Sequence, residues 1–190
     1  MRPKTDYLFK VVIFGDGGVG KTTLVKRYLL GTFENTTMTI GADFFVKRVK
    51  VDEKNVTLQI WDFGGEEQFR FILPQYVSGS SGGIFMFDIS RYMSLNNFDD
   101  WLEIFREEYS KKKKINQTLP IIMVGGKKDL AEKRSVEKQR AQEIVKSQNL
   151  LDYIECSSKT GENVDKIFEE LSREMIQRIE TFEIEKQARD

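Results

Sequence analysis

The segment Gly15-Asp16-Gly17-Gly18-Val19-Gly20-Lys21-Thr22 matches the pattern G-x-x-x-x-G-K-[ST]. Residues of these types at this spacing cradle phosphate. Glycines let the backbone wrap closely with its N–H groups inward, Lys21 reaches the outer phosphates of a nucleotide, and the Thr22 hydroxyl ligates Mg²⁺. Such a loop needs a strand before it and a helix after it, whose N-terminus favours anions. The apolar run Tyr7 to Phe14 supplies the strand. Lys21 to Leu30, with Leu24, Val25, Tyr28 and Leu29 on one face, supplies the helix. The expected contact set is Asp16, Gly17, Gly18, Val19, Gly20, Lys21, Thr22 and Thr23. The loop alone does not choose between ATP and GTP, or between kinase and hydrolase.

Two further segments fall where such a loop needs help. In Gln59-Ile60-Trp61-Asp62-Phe63-Gly64-Gly65 an acid ends a strand-like run, three residues before a glycine. There Asp62 can hold Mg²⁺ through water, and the Gly65 amide can reach the γ-phosphate. Thr39, between the first helix and the next strand, offers a second hydroxyl to the metal and a backbone N–H to the γ-phosphate. The expected metal set is Thr22, Thr39 and Asp62.

Composition narrows the chemistry. The 190 residues carry 30 Lys and Arg, 30 Asp and Glu, one Cys and no His. Zero net charge argues against an electrostatic nucleic-acid binder. Without His there is no His base, triad or metal ligand. A single Cys156 makes no intramolecular disulfide and suits a reducing, cytoplasmic compartment, either free or peripheral at a membrane. The residues from Glu185 to Asp190 contain no Cys, so no covalent lipid anchor is expected from this sequence. Lys111 to Lys114 reads as a solvated end of a helix or as a contact for acidic head groups.

Strand-like runs alternate with helical spacing along the chain. Phe44 to Val51 and Val56 to Trp61 form a hairpin across the turn residues Asp52-Glu53-Lys54-Asn55. Gly83 to Ile89, Pro120 to Val124 and Asp152 to Cys156 read as further strands. Leu95, Phe98, Trp101, Leu102, Phe105 and Tyr109 share one helix face; Ser135 is placed to cap the helix holding Ile144 and Val145. Val164, Ile167, Phe168, Leu171, Met175 and Ile179 line a last helix. The order predicts an α/β fold: a six-stranded, mostly parallel sheet with one antiparallel edge strand and helices on both faces. A single domain over residues 7–182 is expected, with an N-terminal extension (1–6) and a short charged tail (183–190).

With these motifs the chain resembles the Ras-superfamily small GTPases, a P-loop NTPase fold, and among them the Rab branch. Val124-Gly125-Gly126-Lys127-Lys128-Asp129-Leu130 resembles the family's base-reading N-K-x-D segment, and Glu155-Cys156-Ser157-Ser158-Lys159 resembles its S-A-K segment. The Rab likeness rests on Thr39-Ile40-Gly41-Ala42-Asp43-Phe44 and on Phe44, Trp61 and Tyr76, which fall where Rab proteins carry an aromatic triad read by partners. The resemblance implies a monomeric switch that binds GTP or GDP with Mg²⁺, hydrolyses GTP, and meets effectors, activating proteins and exchange proteins. It implies a catalytic set of Lys21, Thr39, Gly65 and Glu66. The Asp129 carboxylate would accept from guanine N1–H and N2–H₂, a donor pair that adenine lacks. Lys127 would lie over the base, with amides near Ser157, Ser158 and Lys159 towards guanine O6. Phe33 either stacks on the base or packs ordinarily, since it lies six rather than the usual seven residues before Thr39. By the two-residue period Trp61 points away from Val56, Leu58 and Ile60, which suits a partner patch or packing under a switch helix.

Four positions depart from the family pattern. Glu66 stands where the family carries the water-orienting Gln, which puts a negative charge near an anionic phosphate; slow intrinsic hydrolysis is expected, with a nucleotide-dependent scaffold as the alternative. Adjacent Glu67 is a second candidate to position water. Gly126 replaces the family's Asn and loses a donor towards guanine N7, so weaker nucleotide affinity is expected. Phe63 and Gly64 replace the usual Thr-Ala, and the Gly64-Gly65 pair is expected to loosen the second switch. Pro74 is expected to limit any helix after Phe69. No Arg lies in the first switch, so an arginine finger would arrive in trans.

Overall fold

The computed structural model describes residues 4–66, 72–112 and 118–188, with backbone only for residues 109–112. Its strands are β1 (Tyr7–Phe14), β2 (Ala42–Val51), β3 (Lys54–Phe63), β4 (Gly82–Asp88), β5 (Ile121–Gly126) and β6 (Asp152–Glu155). Its helices are α1 (Lys21–Leu30), α2 (Leu73–Val77), α3 (Met93–Asn96), α4 (Phe98–Lys112), α5 (Lys138–Ser147) and α6 (Val164–Gln187), with a 3₁₀ turn at Lys128–Lys133. The sheet order is β2-β3-β1-β4-β5-β6, and among the described residues only the β2–β3 pair is antiparallel. This is the six-stranded mixed sheet that the alternation predicts, with its antiparallel strand at an edge.

The period-two pattern of the strands sorts the core into two layers. Val56, Leu58 and Ile60 of β3 join Leu24, Val25 and Tyr28 of α1 and Phe168 and Leu171 of α6 on one face. Phe14, Phe85 and Phe87 meet Leu95, Phe98, Trp101 and Phe105 on the other. The rings interlock: Phe14 stacks on Phe105 at 3.9 Å, and Tyr28 on Phe168 at 3.8 Å. Each such pair adds about 0.5–1.5 kcal/mol beyond its buried area. Ile179, expected on the buried stripe of α6, is 38% exposed, and the buried stripe ends at Ile176. The same helix continues unbroken to Gln187.

Several local expectations change. The hairpin turn is two residues, not four. Asp52 and Glu53 both take positive φ, 44° and 66°, as a turn matching strand twist requires, and the Asp52 carboxylate is held by Arg173 Nε at 2.8 Å. Ser135 does not cap α5; its amide donates to Ile89 O at 2.8 Å, and the helix starts after Glu137. Pro74 does not break α2 but sits in its first turn, where no amide donor is needed. The helix expected over residues 95–109 divides at Asn97, and α4 begins at Phe98. Glu67 and Phe69 lie outside the described residues, as do the side chains of Tyr109 and of the Lys111–Lys114 run. Among the described residues no helix is long and apolar enough to cross a membrane.

β1 lies where the chain order reverses direction, with β3 on one side and β4 on the other. In open parallel sheets the crevice at such a point, beyond the strand C-termini, is where ligands bind. Each motif follows one of those ends: Gly15 after β1, Gly64 after β3, Lys127 after β5 and Cys156 after β6.

Candidate functional site

A cavity of ≈ 620 Å³ occupies that crevice. Its phosphate end is the turn from β1 to α1. Gly18 (φ 71°) and Gly20 (φ 105°) take left-handed conformations that side chains resist, and this curls the loop around the cavity. Lys21 is buried at the first position of α1, and its ammonium donates to Gly15 O and Asp16 O, both at 2.8 Å. Burial pulls its pKa down to about 8, against the attraction of Asp62 and Asp16. Gly17, Gly18, Val19, Gly20, Lys21, Thr22 and Thr23 line the cavity. Asp16 turns its carboxylate instead towards Asn97 Nδ2 and Trp101 Nε1, each 3.1 Å away.

Three oxygen-bearing residues from separate segments converge beside this loop. Thr22 Oγ1 donates to Asp62 Oδ2 at 2.5 Å and lies 2.6 Å from Thr39 Oγ1. Asp62 is buried, and its Oδ1 has no hydrogen-bond partner among the described residues. Burial raises its pKa to about 6, against the Thr22 hydrogen bond and the Lys21 charge. A buried, unpaired carboxylate oxygen calls for an explanation. Two hydroxyls and a carboxylate form a hard oxygen set, so the residues present fit Mg²⁺.

The two switch segments meet over the loop. The Gly64 amide donates to Gly41 O at 2.7 Å, and a Cβ on Gly64 would lie 2.7 Å from Thr39 O. A Cβ on Gly65 would run into the backbone of Asp16 and Gly17. The glycine pair is thus needed for close approach, a role that reading it as a source of mobility overlooks. Glu66 lies against Gly17, with Oε1 2.7 Å from where a Gly17 Cβ would stand.

The opposite end of the cavity is built from the loops after β5 and β6. Lys127 takes a left-handed backbone (φ 61°) and donates to Gly18 O at 2.9 Å and to Asp88 Oδ2 at 2.7 Å. Asp129, Ser158 and Lys159 line the wall, while buried Ser157 stands behind it and donates from Oγ to Asp129 Oδ1 at 2.6 Å. The Lys128 amide donates to Cys156 O at 2.9 Å and so joins the two loops. Phe33 lies at the rim, 46% exposed. Phe44, Trp61 and Tyr76 form a surface row, with ring centroids 4.8 and 5.1 Å apart. Trp61 faces away from Val56, Leu58 and Ile60, as the alternation requires, and is half-buried on the other layer.

Motif reading missed supporting residues: the site role of Trp101, read only as part of a helix face, and four others, Met86, Asp88, Arg91 and Asn97. Met86 forms the cavity floor, and its methyl fills the space where a Cβ on Gly126 would stand. An Asn here would clash with it, so the small residue and the large one compensate each other. None of the four belongs to a spaced signature; only the paired fold brings them to the loop.

Comparison with known proteins agrees with this geometry. A family model described as "Ras family" matches residues 10–177. The chain is 40% identical over 172 residues to the human Ras-related protein Rab-30, covering 90% of this chain and 81% of that one. It is 36% identical over 174 residues to Rab-19 of Xenopus laevis (91% and 79%) and 38% over 170 residues to RABC1 of Arabidopsis thaliana (90% and 78%). A family match spanning the phosphate loop, both switches and the base-end loops, on a sheet of this topology, means that the chain belongs to the Ras family as a small GTPase of its Rab-like branch.

Proposed function

We propose that this GTPase is a slow switch: it binds GTP or GDP with Mg²⁺ and hydrolyses GTP at a low intrinsic rate because Glu66 occupies the water-orienting position. The observation that carries the reading is the Glu66 carboxylate beside Gly17 at the phosphate end of the cavity. Two like charges ~4 Å apart repel by roughly 1–4 kcal/mol across dielectrics from water to protein surface. Thr22, Thr39 and Asp62 would hold the metal, whose charge offsets that developing on the phosphate oxygens. Lys21 binds the outer phosphates, Gly65 and Thr39 offer amides to the γ-phosphate, and Asp129 orients the guanine edge. Release of the γ-phosphate frees both switches together, because the Gly64–Gly41 bond joins them. The Phe44–Trp61–Tyr76 row is the effector surface of this reading, and activating and exchange proteins act on the switches of a cytoplasmic monomer. Glu66→Gln is expected to raise single-turnover GTP hydrolysis about tenfold, the equivalent of ~1.4 kcal/mol in barrier. A variant no faster than the unmodified protein would show that repulsion does not limit the rate.

The same glutamate supports a second reading, a GTP-dependent scaffold with negligible hydrolysis. Single-turnover GTP hydrolysis with and without cell extract separates the two: a slow rate that the extract raises supports the switch, and no hydrolysis in either supports the scaffold.

Binding should also be linked to pH through Lys21. Its pKa is lowered to about 8 because burial penalises the charge. Phosphate oxygens favour the charged form and raise it. Above that value the free protein has lost the proton that the bound state keeps, so binding takes one up and affinity falls as pH rises. Calorimetry at about pH 8.5 in two buffers of different ionisation enthalpy should report uptake of a fraction of a proton. No uptake would mean that Lys21 is already fully charged in the free protein.

A further inference from the structure

The phosphate loop is held from outside at three consecutive residues. Asn97 and Trp101 hold the Asp16 carboxylate; Arg91 Nη2 donates to Gly17 O at 2.5 Å; Lys127 Nζ donates to Gly18 O at 2.9 Å. Arg91 sits in the connection between β4 and α3, outside every motif that meets the nucleotide.

We propose that Arg91 is a positioning residue for nucleotide binding, which aims the Gly18 N–H into the cavity by fixing the Gly17 carbonyl outward. The inference rests on the guanine-nucleotide reading above. In a planar trans peptide the carbonyl and the next N–H point in opposite directions, so pinning one orients the other. Lys127 does the same for the next peptide, whose N–H belongs to Val19. The positive φ of Gly18 lets two successive amides converge on one anion. A guanidinium on a carbonyl also polarises that peptide and strengthens its N–H as a donor.

The Arg91 backbone is itself fixed. Its N–H donates to Asp88 O at 3.0 Å, and its carbonyl accepts from Ser94 N at 3.0 Å and Ser94 Oγ at 2.6 Å. The Asp88 carboxylate accepts from Ser90 N at 2.9 Å on one oxygen and holds Lys127 on the other at 2.7 Å. One buried residue, Asp88, thereby anchors both cations that grip the loop: its carboxylate holds Lys127, and its carbonyl oxygen holds the Arg91 backbone. Gly17 borders Gly65 and Glu66, the segment that the γ-phosphate would meet, so the amide that Arg91 aims meets the outer phosphates rather than the first.

Competition titrations on the full chain with GDP and with GMP test this. Arg91→Ala should weaken GDP about tenfold, as for loss of a charge-assisted hydrogen bond, and GMP by less than about twofold. Arg91→Lys, which keeps one charged donor, should regain most of the GDP affinity. The proposal is overturned by a GDP affinity within about twofold of the unmodified protein, by equal losses for GDP and GMP, or by Lys rescuing no better than Ala. If the unmodified protein binds no guanine nucleotide, its own titration shows this, and the underlying reading fails along with the inference.

Discussion

Gly65→Ala should lower single-turnover GTP hydrolysis on the order of 100-fold, the usual cost of misplacing one preorganised amide donor. GDP affinity should stay within about threefold. The split follows from where the added carbon would lie. A Cβ on Gly65 overlaps the backbone of Asp16 and Gly17, so either the phosphate loop or the second switch must move. The loop is braced by Asn97, Trp101, Arg91 and Lys127 and is continuous with α1. The second switch follows the end of β3, held here by the Gly64–Gly41 bond. The switch is therefore the part that yields, and it carries the amide that the γ-phosphate would meet. GDP has no γ-phosphate and does not need that contact. Equal losses of GTP and GDP affinity would mean instead that the phosphate loop had shifted. An unchanged hydrolysis rate would mean that close approach of Gly65 contributes nothing to the reaction.

The same contrast between strand ends and braces explains which parts were legible from sequence. The five parallel strands could be read because each is a short run rich in apolar residues closed by Gly or turn residues, as in Gly83 to Ile89, and β2 was legible from the turn residues that join it to β3. The phosphate loop and Asp62 were legible because their chemistry needs fixed residue types at fixed offsets. The break at Asn97 was not: the apolar spacing from Leu95 to Phe105 is that of one helix, and the division accompanies a long-range bond from Asn97 to Asp16. Ser135 has the right chemistry for a helix cap, but the Ser135 and Val136 amides are both tied to Ile89 O, on a neighbouring strand end, and α5 starts only after Glu137. Met86 and Gly126 look unrelated until β4 and β5 pair and set them against each other. Arg91 is silent for the same reason, since its partner lies 74 positions away in sequence. Local periodicity and motif spacing carry the sheet and the ligand-facing residues. Residues that act through a neighbour on another strand become visible only in three dimensions.

Base selection tests that division most sharply. Asp129→Asn should lower GTP affinity on the order of 100-fold or more and make xanthosine triphosphate the preferred ligand, because a site built for a donor pair rejects a base that lacks it. Asp129 Oδ1 accepts from Ser157 Oγ at 2.6 Å, and Ser157 is itself held by the Thr160 amide at 3.1 Å, so the carboxyl plane is fixed before any ligand arrives. An Asn in this pose keeps its oxygen towards Ser157 and turns an NH₂ to where the second carboxylate oxygen stood. Guanine presents an amino group at C2, which that NH₂ cannot accept from; xanthine presents a carbonyl there, which it can donate to. No side chain at residue 126 compensates, because Gly126 has none and the Met86 methyl fills the space beside it. Competition between GTP and xanthosine triphosphate on the variant reads the outcome directly. Continued preference for GTP would place guanine recognition in the backbone amides near Ser158 rather than in the Asp129 carboxylate.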